Sequence, residues 1–261
     1  MKKKRLMKAV LTVVWALVLL VLTGCDSIQN PFWPGGPPGR RGGGGDGGNG
    51  GEGVTALWAR TITAGYSTDF SGILFEGVAV AGDGSVYAVG YQDGISFTYG
   101  PGVSPTGTSP GDNPVVVKYD SSGTALWART ITAGDNNAGF NSVAVDGGGN
   151  VYAAGTQAGS GTYTYGPGVS ATGTTSSGPT SGYNPVLVKY DSLGTALWAQ
   201  TITASNADNY PYAMFYAVAV GSDGSVYAAG IQGEAWNYTY GPGVSIAGTS
   251  PVMNPVLVKY R

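Results

Sequence analysis

The sequence predicts an all-β fold in which one domain contains three copies of a four-stranded sheet. The first observation is repetition, because the motif Leu-Trp-Ala recurs at Trp58, Trp127 and Trp198, which are 69 and 71 residues apart. The second is turn chemistry, since Asp-Gly and Gly-Gly pairs separate short runs rich in valine and tyrosine. The third is that both faces of these runs are apolar or small, so each sheet requires cover on both sides.

The first hairpin of each copy is predicted from two valine-rich runs around a tight turn. In the middle copy, residues 143–145 and 151–155 flank the turn residues 146–150. The equivalent runs are 78–80 with 86–89 in the first copy, and 218–220 with 226–229 in the third. These pairs are the first and second strands of each sheet.

The second hairpin joins residues 115–119 to residues 124–127 through the turn that begins at Asp120 and ends at Gly123. Asp at the first turn position and Gly at the last favour a type I turn with a bulge. The second copy repeats this pattern from Asp191 to Gly194. An Asn-Pro pair opens the third strand in every copy, where proline removes no ladder hydrogen bond. Each copy is therefore predicted to be four strands in up-and-down order.

A longer stretch separates the second and third strands, and it contains Tyr-Gly-Pro-Gly in every copy. We expect an extended second strand followed by a loop on one face. Two interpretations of Tyr99, Tyr165 and Tyr240 remain open at this point. The motif favours a structural turn, but the three rings could also present an aromatic binding surface to a sugar or a protein. No other binding surface is predicted.

Sheets that are apolar on both faces are typical of the radially stacked blades of a β-propeller. The third copy ends one strand short of a full blade, and a spare strand lies at the other end, at residues 55–63. We hypothesise that this strand pairs beside residues 255–260. The pairing would close a three-bladed ring within one chain or join two chains, as a homodimer, into six blades. The alternative is an open arc with exposed edges.

The order of these motifs, Val-Tyr-Ala-x-Gly, Tyr-Gly-Pro-Gly, Val-Lys-Tyr-Asp-x-x-Gly and Leu-Trp-Ala, resembles the bacterial SBBP β-propeller repeat family. The resemblance covers nearly all of residues 54–261. It implies a propeller and secretion or surface attachment, and it implies no reaction. This chain departs from the usual pattern because it has three units, whereas propellers have about four to eight blades.

The N-terminal residues are typical of a bacterial lipoprotein signal peptide. A positive stretch with Lys2 and Arg5 precedes an apolar run at residues 9–24, which is short for a membrane-spanning helix. The end of this run, Leu-Thr-Gly-Cys, resembles the lipobox and implies that Cys25 carries the lipid. The predicted divisions are a signal peptide at 1–24, a lipidated cysteine with a linker at 25–53, and the repeat domain at 54–261. The repeats span about 54–123, 124–194 and 195–261.

The linker after Cys25 is rich in glycine and proline and has too few apolar residues to fold. A flexible chain of this composition would hold the domain about 30 Å from the membrane. We therefore expect a disordered tether.

Composition excludes several classes of function. Five of the 13 Lys and Arg residues lie in the first eight positions, against 15 acids overall, so the domain is unsuited to a nucleic-acid backbone. There is no histidine, and the single cysteine is Cys25. We find no serine nucleophile with a partner, no phosphate-binding glycine motif and no metal-ligand spacing. No catalytic, cofactor-binding or metal-binding residue is therefore predicted. The repeated Lys118, Lys189 and Lys259 are interpreted as outer-surface residues.

The sequence thus favours a non-enzymatic protein of the bacterial cell envelope, periplasmic or at the cell surface, anchored to a membrane by its lipid. It would act as a binding or structural module for a protein or a glycan. The alternative is a carbohydrate-active or hydrolytic enzyme, because propellers support such chemistry too. That alternative requires non-repeated carboxylates in one pocket; the candidates are Asp69, Glu76, Asp135, Asp208 and Glu234.

Overall fold

The described part of the chain is all-β and consists of small antiparallel sheets. The structure is a computed structural model, and it describes residues 54–63, 72–93, 96–174, 182–204 and 212–261. Within these ranges it contains strands and turns but no helix. Residues 54–261 form one compact unit. The signal peptide, Cys25 and the linker lie outside the described residues.

Three main sheets follow the three sequence copies, and every strand pairing in them is antiparallel. Sheet 1 has the order β1 (Ile73–Val80), β2 (Val86–Asp93), β3 (Asp112–Tyr119), β4 (Ala125–Arg129). Sheet 2 has the order β5 (Ala138–Val145), β6 (Val151–Ala158), β9 (Tyr183–Tyr190), β10 (Ala196–Thr201). Sheet 3 has the order β12 (Ala213–Val220), β13 (Val226–Gly233), β16 (Met253–Tyr260). The predicted up-and-down order is confirmed for sheets 1 and 2.

The turns form as their sequences predict. The Asp120 carboxylate accepts hydrogen bonds from the backbone N–H groups of Ser122 and Thr124, and Gly123 has a φ of 80°. Glycine has no Cβ and adopts this left-handed conformation without a steric penalty, which is why the turn ends in glycine. Asp191 holds the next copy of the turn in the same way. The hydrogen bond from the Ser122 hydroxyl, followed by the backbone hydrogen bond from Thr124, lowers the pKa of the Asp120 carboxyl.

Sheet 3 has three described strands rather than four, and the outer edge of β16 has no neighbouring strand among them. The hypothesis that residues 55–63 pair with β16 within one chain is wrong for this structure. Those residues contact the turn between β3 and β4 instead, because Trp58 donates a hydrogen bond to Ser121 O and Arg60 donates one to Ser122 O. The single chain is an open arrangement of sheets at this edge.

The Tyr-Gly-Pro-Gly segments form separate hairpins, so the expectation of one extended strand and a loop is corrected. Backbone reversal at Pro167 and Gly168, with a φ of 72° at the glycine, pairs one short strand with the next. The small strands are β7 (Thr162–Gly166) with β8 (Val169–Thr172), and β14 (Asn237–Gly241) with β15 (Val244–Ala247) and β11 (Thr203–Ala204). In the described part of the first copy, the bridges Ser96–Thr106 and Gly100–Val103 stand at this place.

The main sheets pack face to face. Strand β5 lies against β1, β2 and β3, and β12 lies against β5, β6 and β9. One core cluster joins Tyr87 and Val116 of sheet 1 to Phe140 and Val143 of sheet 2, and the next joins sheet 2 to sheet 3. Both faces of sheet 2 are therefore buried, as the apolar character of its two faces predicts.

The repeated lysines pack along the sheet surface. Lys118 lies over the ring of Tyr87, with 5.3 Å from Nζ to the ring centroid, and Tyr87 contacts Trp127 on β4. Sheet 2 repeats this row with Tyr152 on β6, Lys189 on β9 and Trp198 on β10. An ammonium group over an aromatic face is attractive, and the lysine stem covers apolar surface. These lysines therefore belong to the packing of the sheets.

Candidate functional site: a tyrosine cluster and two uncovered sheet faces

The three tyrosines that could have formed a binding surface lie in the core. Tyr99, Tyr165 and Tyr240 are 2%, 2% and 1% exposed. Each hydroxyl donates a hydrogen bond to a buried glutamine, as Tyr165 does to Gln157 Oε1 at 3.0 Å. The rings pack on phenylalanines of the first strand of each sheet, for example Phe140 on Tyr165. The structure thus corrects the aromatic-surface interpretation, because these rings have no face left for a ligand.

The described carboxylates among the enzyme candidates lie beside different tyrosines. Asp69 and Asp208 lie outside the described residues. Among the described candidates, Glu76 raises the pKa of Tyr91, Asp135 that of Tyr163, and Glu234 that of Tyr238, each as a lesser cause than burial. Each of the three therefore has a different tyrosine neighbour. In the described ranges no group of three or more Asp, Glu, His or Cys residues could hold a metal ion.

A cluster of non-repeated side chains lies where the three sheets meet at one end. It contains Tyr91, Tyr183, Tyr212, Tyr216, Glu76 and Asp112, and we call it the tyrosine cluster. Asp112 begins β3, Tyr183 begins β9 and Tyr212 immediately precedes β12, which places these three at corresponding strand ends. The rings of Tyr183 and Tyr212 meet edge to face with 5.6 Å between their centroids. All six side chains are half-buried, so each retains an accessible part.

Electrostatic coupling connects the members of the tyrosine cluster. Burial raises the pKa of Glu76, and burial with the neighbouring Asp93 charge raises that of Asp112. Glu76 and Asp112 in turn add to the raised pKa of Tyr91, after burial. The cluster thus combines phenol rings with two carboxyl groups that are less acidic than usual. Such a surface offers flat aromatic faces and hydrogen-bond acceptors together.

Sequence reasoning missed this cluster because its members occupy different positions of the repeat. Tyr91 corresponds to Thr156 and Ile231, and Asp112 corresponds to Tyr183 and Met253. No local motif joins residues that are more than a hundred positions apart. The sequence signal that could have found the cluster is a position whose residue differs among the three copies, since a position without a packing role can vary.

The second feature is residues 54–63, which we call the docked segment. Arg60 donates hydrogen bonds to Gly123 O and Ser122 O, and Trp58 donates one to Ser121 O. Strand β4 makes the same contacts one repeat later, where Arg129 bonds Gly194 O and Leu193 O. The docked segment therefore occupies the position of a fourth strand that precedes sheet 1.

A cleft of about 310 Å³ opens between the docked segment and the outer face of sheet 1. Its wall includes Trp58, Phe75, Glu76, Val78 and Tyr119. The Tyr119 hydroxyl has no hydrogen-bond partner among the described residues, and the equivalent Tyr190 shares this property. Because the unpaired hydroxyl recurs at Tyr190, it does not indicate a ligand in this cleft. The informative feature of the cleft is its apolar wall.

The outer face of sheet 1 is uncovered, although its residues match those of buried faces. Val78 is 67% exposed, whereas the equivalent Val143 of sheet 2 is 7% exposed. The opposite outer face, on sheet 3, shows the same contrast, because Leu257 is 71% exposed and its equivalent Leu187 is 0% exposed. Both end faces thus carry core-type residues that face solvent in the single chain.

The lipid-anchor prediction concerns Cys25, which the described residues do not include. Within those residues, the structure has no helix with the length and apolarity that crossing a membrane requires. Neither a protein-family model nor a curated protein matches this chain.

Proposed function

We propose that this chain is a lipid-anchored β-propeller-repeat protein of the bacterial envelope, and that it binds a glycan or protein through the tyrosine cluster. The three sheets would be blades, with β1, β5 and β12 as the inner strands. Face-to-face packing of β5 on sheet 1 and of β12 on sheet 2 supports this arrangement. The SBBP resemblance and the low charge content of 11% support an extracytoplasmic location.

The observation that carries the binding proposal is the contrast between repeated and non-repeated residues. Repeated tyrosines, lysines and tryptophans take part in packing, as Tyr87, Lys118 and Trp127 do. The tyrosine cluster breaks the repeat and retains accessible surface on Tyr183 and Tyr212. Tyrosine contributes a large contact area at low entropic cost, and its hydroxyl forms hydrogen bonds with sugars or peptides.

Binding is tested with the purified chain on arrays of immobilised oligosaccharides and peptides. We expect Tyr183→Ala and Tyr212→Ala each to weaken the bound signal about tenfold or more, as loss of a central aromatic contact does. Leu193→Ala is the matched control, because Leu193 is 73% exposed on the turn that follows β9, at the opposite end of that strand from Tyr183. Binding that survives both tyrosine substitutions would contradict the proposed site.

The same arrays distinguish the enzyme alternative. The raised pKa of Glu76 and of Asp112 suits proton transfer, which glycoside hydrolysis requires from one of two carboxyl groups. Shortened oligosaccharides released by the wild-type chain and not by Asp112→Asn would establish hydrolysis. Unchanged oligosaccharides are the expected result for a binding module.

The anchor is tested separately by labelling cells with a radioactive fatty acid. We expect the wild-type chain to carry the label and Cys25→Ser to carry none, because Cys25 is the only cysteine in the sequence. A serine cannot form the thioether bond that attaches the lipid at this position. Label retained by Cys25→Ser would contradict lipidation at this residue.

A further inference from the structure

The open edge of β16 and the docked segment match each other, and we propose that two copies of this chain exchange them to form a closed ring of six sheets. In this dimer the docked segment of each copy becomes the fourth strand of its partner's sheet 3. The inference does not depend on the lipid anchor or on the proposed ligand. It rests on three observations in the described residues.

The first observation is that the docked segment is already positioned as a fourth strand. Its side chains bond the turn of sheet 1 just as β4 bonds the turn of sheet 2. Beyond this contact, Thr63 N–H donates to Thr98 O, as Thr132 N–H does to Thr164 O one repeat later. Among the described strands, none lies beside the backbone of residues 54–60, and these residues are exposed.

The second observation is an incomplete row on sheet 3. In sheets 1 and 2 the row is tyrosine, lysine and tryptophan, with Lys118 opposite Trp127 and Lys189 opposite Trp198. In sheet 3, Lys259 lies over Tyr227 at 5.3 Å, and no described strand lies beside β16 to bring the tryptophan. The matching residue of the docked segment is Trp58. The partner copy therefore contributes the residue that completes the row.

Internal pairings specify the register of the exchanged strand. Trp198 pairs with Lys189, Ala199 with Val188 and Gln200 with Leu187. By the repeat, Trp58 of one copy pairs with Lys259 of the other, Ala59 with Val258 and Arg60 with Leu257. An added strand of this kind satisfies the backbone groups that an edge strand leaves open.

The third observation is that the uncovered faces lie where the exchange would bring them together. Strand exchange places sheet 3 of one copy against sheet 1 of the other. The residues that meet are equivalent to those buried between sheets 1 and 2, with Leu257 in the place of Val116 and Val78 in the place of Val143. Exposed core-type surface of this kind is a mark of association.

The exchange contact joins the docked segment of one copy to sheet 3 of the other, so it is a head-to-tail contact. Such a head-to-tail contact forms a closed assembly only if the rotation completes a circle. Propellers have about four to eight blades, so two copies with three sheets each lie within that range and three copies exceed it. A dimer with two identical exchange contacts is the assembly that these numbers favour.

The oligomeric state is tested by native mass spectrometry of the full chain, purified from membranes in detergent. We expect the wild-type chain to have twice the chain mass and Leu257→Lys to have the mass of one chain. In the proposed register a lysine at this position lies directly opposite Arg60 of the other copy, and burial of two like charges there should weaken association on the order of 100-fold or more. Since Leu257 is 71% exposed in the single chain, this change should leave each copy folded. Leu193→Lys, at 73% exposure on a turn, is the control and should remain dimeric.

Cross-linking tests the register independently of mass. In the variant with Ala59→Cys and Val258→Cys, oxidation should give a reducible species of twice the chain mass, because opposed strand residues lie within disulfide reach. The wild-type chain controls for Cys25, and Ala59→Cys with Val244→Cys controls for chance contact. A disulfide within a single chain, the absence of any cross-link, or a monomeric wild-type chain would overturn the proposal.

Discussion

Single residues in this protein are constrained most where two backbones come close together. Gly155 on β6 lies beside Gly139 and Phe140 at the bulge of β5. A Cβ at this position would overlap the Gly139 carbonyl oxygen and would lie 2.7 Å from Phe140 Cα. Gly90 and Gly230 stand in the same position in the other copies, against Leu74 and Met214. The Gly that ends the repeated Val-Tyr-Ala-x-Gly motif is therefore a requirement of packing.

We expect Gly155→Ala to destabilise the fold by about 3 kcal/mol, because the backbone that it meets cannot rotate away as a side chain could. For a domain of this size the melting temperature should fall by roughly 10 °C. The change is measured by circular dichroism on heating. Gly147→Ala is the matched control, since no atom lies within 4 Å of its added Cβ. Equal melting temperatures for the two variants would argue against the close approach.

The tyrosines show which single-residue roles the sequence leaves undecided. Tyr165 recurs with its Gly-Pro-Gly neighbours, and a recurring aromatic fits either packing or a binding surface. The decisive residue is Gln157, which accepts the hydroxyl hydrogen bond from inside the core. That glutamine also recurs, as Gln92 and Gln232, and a repeated polar residue inside an apolar strand indicates a buried partner.

At the scale of elements, strands and hairpins follow directly from local sequence. Valine-rich runs gave the strands, and the Asp and Gly of each turn set its geometry through hydrogen bonds and a left-handed backbone. The separate hairpin β7–β8 was not predicted, although Pro167-Gly168 favours a turn between two strands. Hydrophobic periodicity does not show whether a strand continues or reverses, because that depends on which strand its edge pairs with in the folded chain.

The docked segment is the element whose partner the sequence did not identify. Its motif predicted a strand, but residues 54–63 form no strand in the structure, and their side chains contact the turn of sheet 1. The signal was present, since Arg60 and Arg129 recur together with the turn glycines Gly123 and Gly194. The Arg60 guanidinium donates to two turn carbonyls, and its rigid fork geometry fixes the position of the segment on the turn. An element can thus be fixed in space while one of its edges stays open.

At the scale of the whole molecule, the repeat predicted the number and the order of the main sheets. It did not predict the tyrosine cluster, because Tyr91, Tyr183 and Tyr212 meet only through the packing of three sheets. It also left the closure of the assembly open. Closure depends on the free energy of covering Val78 and Leu257, and those residues look like any other core valine or leucine in the sequence.

The free energy of unfolding of the whole molecule should be independent of pH near neutrality and should fall at alkaline pH. The chain has no histidine, so no histidine titrates between pH 6 and 9. Burial raises the pKa of Tyr99, Tyr165, Tyr190 and Tyr240 above the ordinary value near 10. The neutral phenol is the form that the fold accommodates, so stability is complete below pH 10 and declines above it, where only the unfolded chain loses the proton.

Each such tyrosine should remove about 1.4 kcal/mol of stability for each pH unit above 10. We expect urea unfolding midpoints that are constant from pH 6 to 9 and fall steeply from pH 10 to 12. Absorbance at 295 nm should show these phenols ionising together with the loss of circular dichroism. Tyr240→Phe should begin less stable, because Gln232 loses its hydrogen bond, but its slope above pH 10 should be shallower. If these four phenols ionised near pH 10 while the fold stayed intact, the result would contradict their burial.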